Sequence, residues 1–204
     1  MAREYYSEPM RDPEGYLTEE QFKHLVSFAD SPRDRLLLNF LFYSGRRVSE
    51  VVRSIKVEDC DFRNNTILFS ILKKRFPLKK RLNVDIGLME KVKEYVENER
   101  MSFDEFLFPI NRFRVDQIIK NISKKAEMEF IGRHKIHAHT FRHSFAVMMV
   151  KRIKDIYELG RLQNQLQHGS LEQTAFYFEH FNPKERDFID VSRDKTDSEE
   201  IEEK

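Results

Sequence analysis

Cysteine is almost absent from this chain: Cys60 is the only one in 204 residues. A single thiol cannot close a disulfide within a chain or build a cysteine-ligated metal cluster, which removes disulfide-stapled and zinc-finger architectures. No apolar run approaches the ~18 residues that a membrane-spanning helix needs. The opening stretch Met1–Pro13 is too charged for a signal peptide. The expectation is therefore a soluble, cytoplasmic protein with no membrane partner. Glycine is sparse at six residues, and no glycine-rich phosphate loop of the Walker type occurs. Neither does a set of Asp and Glu at metal-ligand spacing. No metal and no cofactor are implied. Few glycines, one cysteine and abundant Lys and Glu would fit a heat-adapted source.

What is present is charge, and its distribution is uneven. Charged residues make up 35% of the chain and hydrophobic ones 40%, enough apolar content for a packed core, with a formal net charge of +1. From Asp187 onward eight acids face three bases, so the tail carries −5 and the preceding 186 residues +6. Lys73, Lys74, Arg75, Lys79, Lys80 and Arg81 form a cluster with no acid between them. Between Arg112 and Arg161 twelve bases stand against five acids. Basic density of this kind suits a polyanion such as duplex DNA.

The hydropathy pattern is helical with one β interruption, and the expectation is a single α+β domain, mainly α-helical. Residues 1–16 lack periodicity and read as an N-terminal arm or linker remnant. Thr18-Glu19-Glu20-Gln21 is a capping box that opens a helix from Glu19 to about Ala29. Ser31-Pro32 starts a second, lined by Leu36, Leu37, Phe40, Leu41 and Tyr43 until Gly45 stops it. A short helix spans Val48 to Ser54. Thr66–Leu72 and Arg81–Ile86 then read as strands of a hairpin whose tip carries the basic cluster and Pro77. Helices are expected at Gly87–Glu99, Val115–Met128, Ala138–Lys151, Ile156–Leu166 and Leu171–Glu179. The domain ends near position 193, and 194–204 is an acidic tail expected to be disordered.

Certain polar residues are not explained by packing. His139 and Arg142 are three apart, so on a helix they share a face. A titratable base beside a permanent, forked cation suits a phosphate. Ser44-Gly45-Arg46-Arg47-Val48-Ser49-Glu50 closes one helix and opens another, and an anion is favoured at such a helix start. Leu166-Gln167-His168-Gly169 lies further on, before a segment containing Tyr177.

Together these pieces resemble the catalytic domain of tyrosine recombinases, the phage-integrase family. That family carries T/S-G-x-R-x-S-E, a lysine in a β-hairpin, H-x-x-R-H, then L-G-H and a tyrosine nine residues later. The matching residues here are Ser44–Glu50, Lys73 or Lys74, His139-Thr140-Phe141-Arg142-His143, Leu166-Gln167-His168 and Tyr177. Two departures stand out. Gln167 replaces the glycine before the histidine, and the family's N-terminal clamp domain does not precede the match.

The resemblance implies site-specific cleavage and rejoining of double-stranded DNA through a 3′-phosphotyrosine. Tyr177 would be the nucleophile, Arg47 and Arg142 would hold the non-bridging oxygens, His168 would donate to the phosphate and His139 would take the phenolic proton. The general acid would be a hairpin lysine, Lys74 or Lys73, with Lys79 and Lys80 also near the tip. Glu50 and His143 would support the cluster. Arg46, Arg75, Lys79, Lys80 and Arg81 are expected on DNA. Expected partners are a homotetramer on DNA and an additional protein in place of the missing clamp half. The alternatives are a topoisomerase-like nicking-closing enzyme, an integrase fragment, or a non-catalytic DNA-binding module.

Overall fold

A computed structural model describes residues 15–71, 78–153 and 156–166, together with Tyr177 and Phe181. Helix α1 (Glu19–Ser27) starts at Thr18, whose Oγ1 accepts from the Gln21 amide at 3.2 Å while Gln21 Oε1 accepts from the Thr18 amide at 2.9 Å. Helix α2 (Pro32–Ser44) has Ser31 as its N-cap, Pro32 at its first position and Gly45 at its end in the left-handed region, φ 63°. All three signals are local, which is why the sequence places them well.

Helix α2 is buried on every side from Leu36 to Phe42, as befits the central helix of a domain. Phe42 stacks on Phe22 of α1 at 3.9 Å, and Phe40 meets Phe69 and Phe108. At its far end α2 runs against α6 (Ala138–Val150). A Cβ on Gly45 would lie 2.3 Å from the Phe145 ring, so only glycine allows this approach. A second cluster joins Phe145, Val147 and Val150 of α6 to Leu159, Leu162 and Leu166 of α7 (Ile156–Leu166), with Tyr177 inside it.

Short α3 (Val48–Val51) leads through a 3-10 turn at Val57–Asp59 into an antiparallel sheet ordered β1 (Cys60–Asp61), β2 (Thr66–Ile71), β3 (Leu78–Asn83). Strand β2 buries Ile67 and Phe69 on one face. Helices α4 (Ile86–Asn98) and α5 (Arg112–Lys125) follow. A two-residue-per-strand hairpin, β4 (Phe130–Ile131) with β5 (His134–Lys135), precedes α6.

Several boundaries differ from the sequence reading. Strand β3 begins at Leu78, not Arg81, because cross-strand pairing extends to Ile71↔Leu78. Lys79 and Lys80 therefore stand in the paired strand, beside Arg81, rather than at the tip. The stretch 84–86 leaves the sheet because Asp85 caps α4, its Oδ1 accepting from the Leu88 amide at 3.1 Å. Helix α3 stops at Val51, and Arg53 takes a positive φ of 50°. Helix α5 starts three residues early, since Asn111 accepts from the Arg114 amide at 2.9 Å. Gly15 and Tyr16, read as arm, pack on the domain: Tyr16 meets Phe181 edge-on at 5.5 Å. The expected helix Leu171–Glu179 lies outside the described residues except for Tyr177, which is helical. The acidic tail 194–204 also lies outside them.

Candidate active site

Three helix ends converge on one place. Gly45 turns the chain out of α2, and Arg47 becomes the N-cap of α3 in extended conformation. One turn on, Glu50 is 1% exposed and receives the Arg47 amide at 3.3 Å and Arg47 Nη1 at 2.9 Å. From α6, Arg142 reaches into the same region at 3% exposure. Its Nη1 donates to the Gly45 carbonyl at 2.8 Å and its Nη2 to the Leu166 carbonyl at the end of α7. Guanidinium groups favour such helix C-termini, where carbonyls point outward with the negative end of the dipole. The Nε of Arg142 is buried with no hydrogen-bond partner, a donor left for a ligand.

Arg46, Arg47 and Arg142 face a single carboxylate, Glu50. The cluster holds two more positive charges than negative ones. Burial and the neighbouring Arg47 push the Arg142 guanidinium down to about 9, still charged at neutral pH. An anion bound there would relieve both pressures.

His139 lies one turn before Arg142 at the start of α6. Its amide donates to Nδ1 of His137, the N-cap, at 3.1 Å. Burial, then the charges of Arg142, His137, His143 and Arg47, push its imidazole down to about 4. His139 is therefore neutral at physiological pH, and a weaker base than a free imidazole. Tyr177 is 1% exposed, and its hydroxyl shares a hydrogen bond of 3.0 Å with His143 Nδ1. Burial raises its hydroxyl well above the ordinary phenol range, with Arg142 pulling the other way. The rings of His143 and Phe181 lie against it, and Tyr16 packs edge-on against both of them.

The structure thus brings together Arg47, Glu50, His139, Arg142, His143 and Tyr177. Lys73, Lys74, Arg75 and His168 lie outside the described residues. Lys79 Nζ is 3.6 Å from Asp59, and Arg81 Nη1 donates to Thr66 Oγ1 at 3.2 Å. Lys80 is half-buried opposite Phe69. Arg46 requires a correction: read as a DNA contact, it is 2% exposed, its Nη2 donating to the Gln165 carbonyl, its Nη1 3.8 Å from Glu50 without a hydrogen-bond partner, and its Cζ over the Phe69 ring. A side chain held there does not reach a duplex. The basic density noted from Arg112 onward resolves on α5 into an exposed set of cations that were not assigned individually from sequence. Arg112, Arg114, Lys120, Lys124 and Lys125 are exposed on it with one carboxylate, Asp116. Helical spacing of those cations was the signal available. Among the described residues no group of three or more His, Cys, Asp or Glu could hold a metal ion, and no helix is long and apolar enough to cross a membrane.

The chain is 30% identical over 171 residues to tyrosine recombinase XerA of Pyrococcus horikoshii, covering 79% of the chain and 55% of the relative. It is 28% identical over 173 residues to tyrosine recombinase XerH of Campylobacter jejuni, covering 81% and 46%. The chain spans about half the length of the curated relatives it matches. Its fold is similar to the crystal structure of XerA recombinase, with TM-score 0.65, 24% identity and coverage of 80% of this chain and 59% of that one. It is also similar to the catalytic domain of bacteriophage HP1 integrase, with TM-score 0.60, 20% identity and coverage of 82% and 88%. The model of the phage integrase family matches residues 15–184, more than half of the chain. This chain belongs to the phage integrase family, and its fold is that of a tyrosine-recombinase catalytic domain.

Proposed function

We propose that this domain cuts and rejoins duplex DNA at a specific site through a 3′-phosphotyrosine, as the catalytic part of a site-specific recombinase. The observation that carries the reading is the cluster of three guanidiniums around one carboxylate beside a tyrosine hydroxyl. A phosphodiester bears one negative charge and the phosphorane formed by attack on it bears two, so the cation excess stabilises the transition state more than the substrate.

In the reaction the Tyr177 oxygen bonds to phosphorus and the bond from phosphorus to the 5′ oxygen breaks. The phenolic proton passes to His139, and Lys74 or Lys73 protonates the departing 5′ oxygen. Arg47 and the free Nε side of Arg142 bind the non-bridging oxygens, and His168 adds a hydrogen bond. Rejoining is the same path reversed, with the bond energy kept in the phosphotyrosine. At 1% exposure the Tyr177 hydroxyl is shielded from any duplex, so cleavage requires the packing around it to open. His143 holds the hydroxyl until then.

The exposed cations of α5 and of β3 supply the grip on the DNA backbone, together with Lys73, Lys74 and Arg75. The relatives' role in recombination extends the reading to a homotetramer on DNA, assisted by a further DNA-gripping domain or protein, acting on the nucleoid. The test is a suicide duplex, nicked next to the cleavage point, built from genomic fragments recovered with the protein. A covalent protein–DNA adduct that survives denaturant is expected. No adduct on any recovered fragment would sink the reading. Relaxation of supercoiled plasmid with no strand exchange would mark a nicking-closing enzyme instead.

A further inference from the structure

The first amides of an α-helix have no acceptor within it, and the side chain just before the helix commonly supplies one. The usual acceptor is an oxygen of Ser, Thr, Asp or Asn. Thr18, Ser31, Asp85 and Asn111 do this for α1, α2, α4 and α5. Helix α6, which carries His139, Arg142 and His143, departs from that rule. Its N-cap is His137, whose Nδ1 accepts from the His139 amide at 3.1 Å, while the His137 amide donates to Thr140 Oγ1 at 3.2 Å. The imidazoles of His137 and His139 lie nearly parallel, 25° apart in plane, with centroids separated by 6.3 Å.

An imidazole nitrogen accepts a hydrogen bond only while it carries no proton. The amide donor therefore assigns the His137 proton to Nε2. Protonation would turn Nδ1 into a second donor facing the His139 amide and would set a positive charge at the positive end of the α6 dipole. The charged and titratable groups around the ring are Arg112 and Asp116 of α5, His134 of β5 and His139 itself. Desolvation holds the His137 imidazole below the ordinary 6.5; Asp116 pulls the other way, and His134 and Arg112 add to the lowering. His137 is thus neutral at pH 7 and the cap is made. Its charge is also among those that push His139 down. A protonated His137 would loosen the first turn of α6 and oppose the arrival of a proton on His139.

We infer that His137 is a positioning residue: its neutral imidazole caps α6 and holds His139 at the site, and gaining a proton releases that hold. The inference rests on the reading of His139 as the proton acceptor in DNA cleavage. His137 acts through His139 without touching the DNA.

The test compares His137→Asn, which keeps a capping oxygen that does not titrate, with His137→Leu, which has no acceptor. Melting temperature, duplex affinity and single-turnover cleavage of the suicide duplex at saturating DNA are measured in the full chain from about pH 5 to 8. At neutral pH His137→Asn is expected to cleave within about twofold of wild type. His137→Leu cleaves about fivefold more slowly with duplex affinity within about twofold, a loss confined to the chemical step. As pH falls below 6.5 wild type loses rate first, and the acid limb of His137→Asn lies at lower pH. Superimposable acid limbs for wild type and His137→Asn overturn the inference, and this comparison stands even where His137→Leu does not fold. Wild-type cleavage by a folded His137→Leu overturns it as well. So does a severalfold loss of duplex affinity in both variants, which would make His137 a DNA contact.

If wild type itself forms no adduct, the cleavage reading fails and amide exchange at His139 decides the capping role separately. Faster exchange in His137→Leu, with wild-type exchange in His137→Asn, upholds the cap. Equal exchange in all three overturns it.

Discussion

Arg142→Ala tests structure and chemistry with one substitution. The guanidinium donates to two carbonyls, Gly45 and Leu166, at the ends of α2 and α7. Charge-assisted bonds of this sort are worth about 1.5–3 kcal/mol each, so losing two removes roughly 3–6 kcal/mol. Part of that is offset, because Arg142 is buried close to Arg46 and Arg47 with its Nε unpartnered, and removing a strained cation releases about 1–2 kcal/mol. The net expectation is a destabilisation of about 2–4 kcal/mol, or roughly 4–16 °C in melting temperature at about 2–4 °C per kcal/mol for a domain of this size.

Chemistry should suffer independently. At saturating DNA and below the variant's melting point, cleavage should fall about 10²–10³-fold, the typical cost of one lost donor to a developing oxyanion. Thermal melts in parallel with single-turnover adduct formation separate the two effects. A variant that melts like wild type would mean the two carbonyl bonds contribute no more than burial of the cation costs. Cleavage within about threefold of wild type would take Arg142 out of the phosphate site.

Other substitutions probe the remaining parts. Tyr177→Phe removes only the oxygen held by His143, so DNA binding should persist, stability should drop about 1 kcal/mol, and the covalent adduct should vanish; an undiminished adduct would assign the nucleophile elsewhere. His139 has its folded-state value pushed down to about 4 from an ordinary 6.5. The unfolded chain then binds the proton first, so stability present above pH 6.5 is lost as pH falls from 6.5 towards 4. In urea titrations across that range His139→Asn should flatten this slope, and an unchanged slope would show that His139 is not the group responsible. Gly45→Ala forces a left-handed φ of 63° on a residue whose Cβ would meet Phe145 at 2.3 Å. A loss of about 2–4 kcal/mol by urea denaturation is expected, and a neutral result would mean α2 and α6 separate more readily than their packing indicates.

The sequence by itself determined the elements whose signals are local. Thr18 and Ser31 cap α1 and α2 through bonds to amides three positions away, Pro32 fits the first helical position, and Gly45 takes the left-handed turn that ends α2. The H-x-x-R-H spacing put His139, Arg142 and His143 on α6, and Ile156–Leu166 matched the helical period. Tertiary structure decided whatever depends on partners distant in the chain. The register Ile71↔Leu78 moved Lys79 and Lys80 into a strand because ladder bonds across the hairpin outweigh local composition. The burial of Arg46 was set by Phe69 and by Gln165, 119 residues away. Tyr177 lies against His143 of α6 and Phe181, rings on which Tyr16 packs from the other end of the described chain. A guanidinium or a phenol looks the same in a sequence whether it faces solvent or a helix end. The difference lies in which carbonyls and rings the packing of α2, α6 and α7 brings within reach, and periodicity carries no information about those.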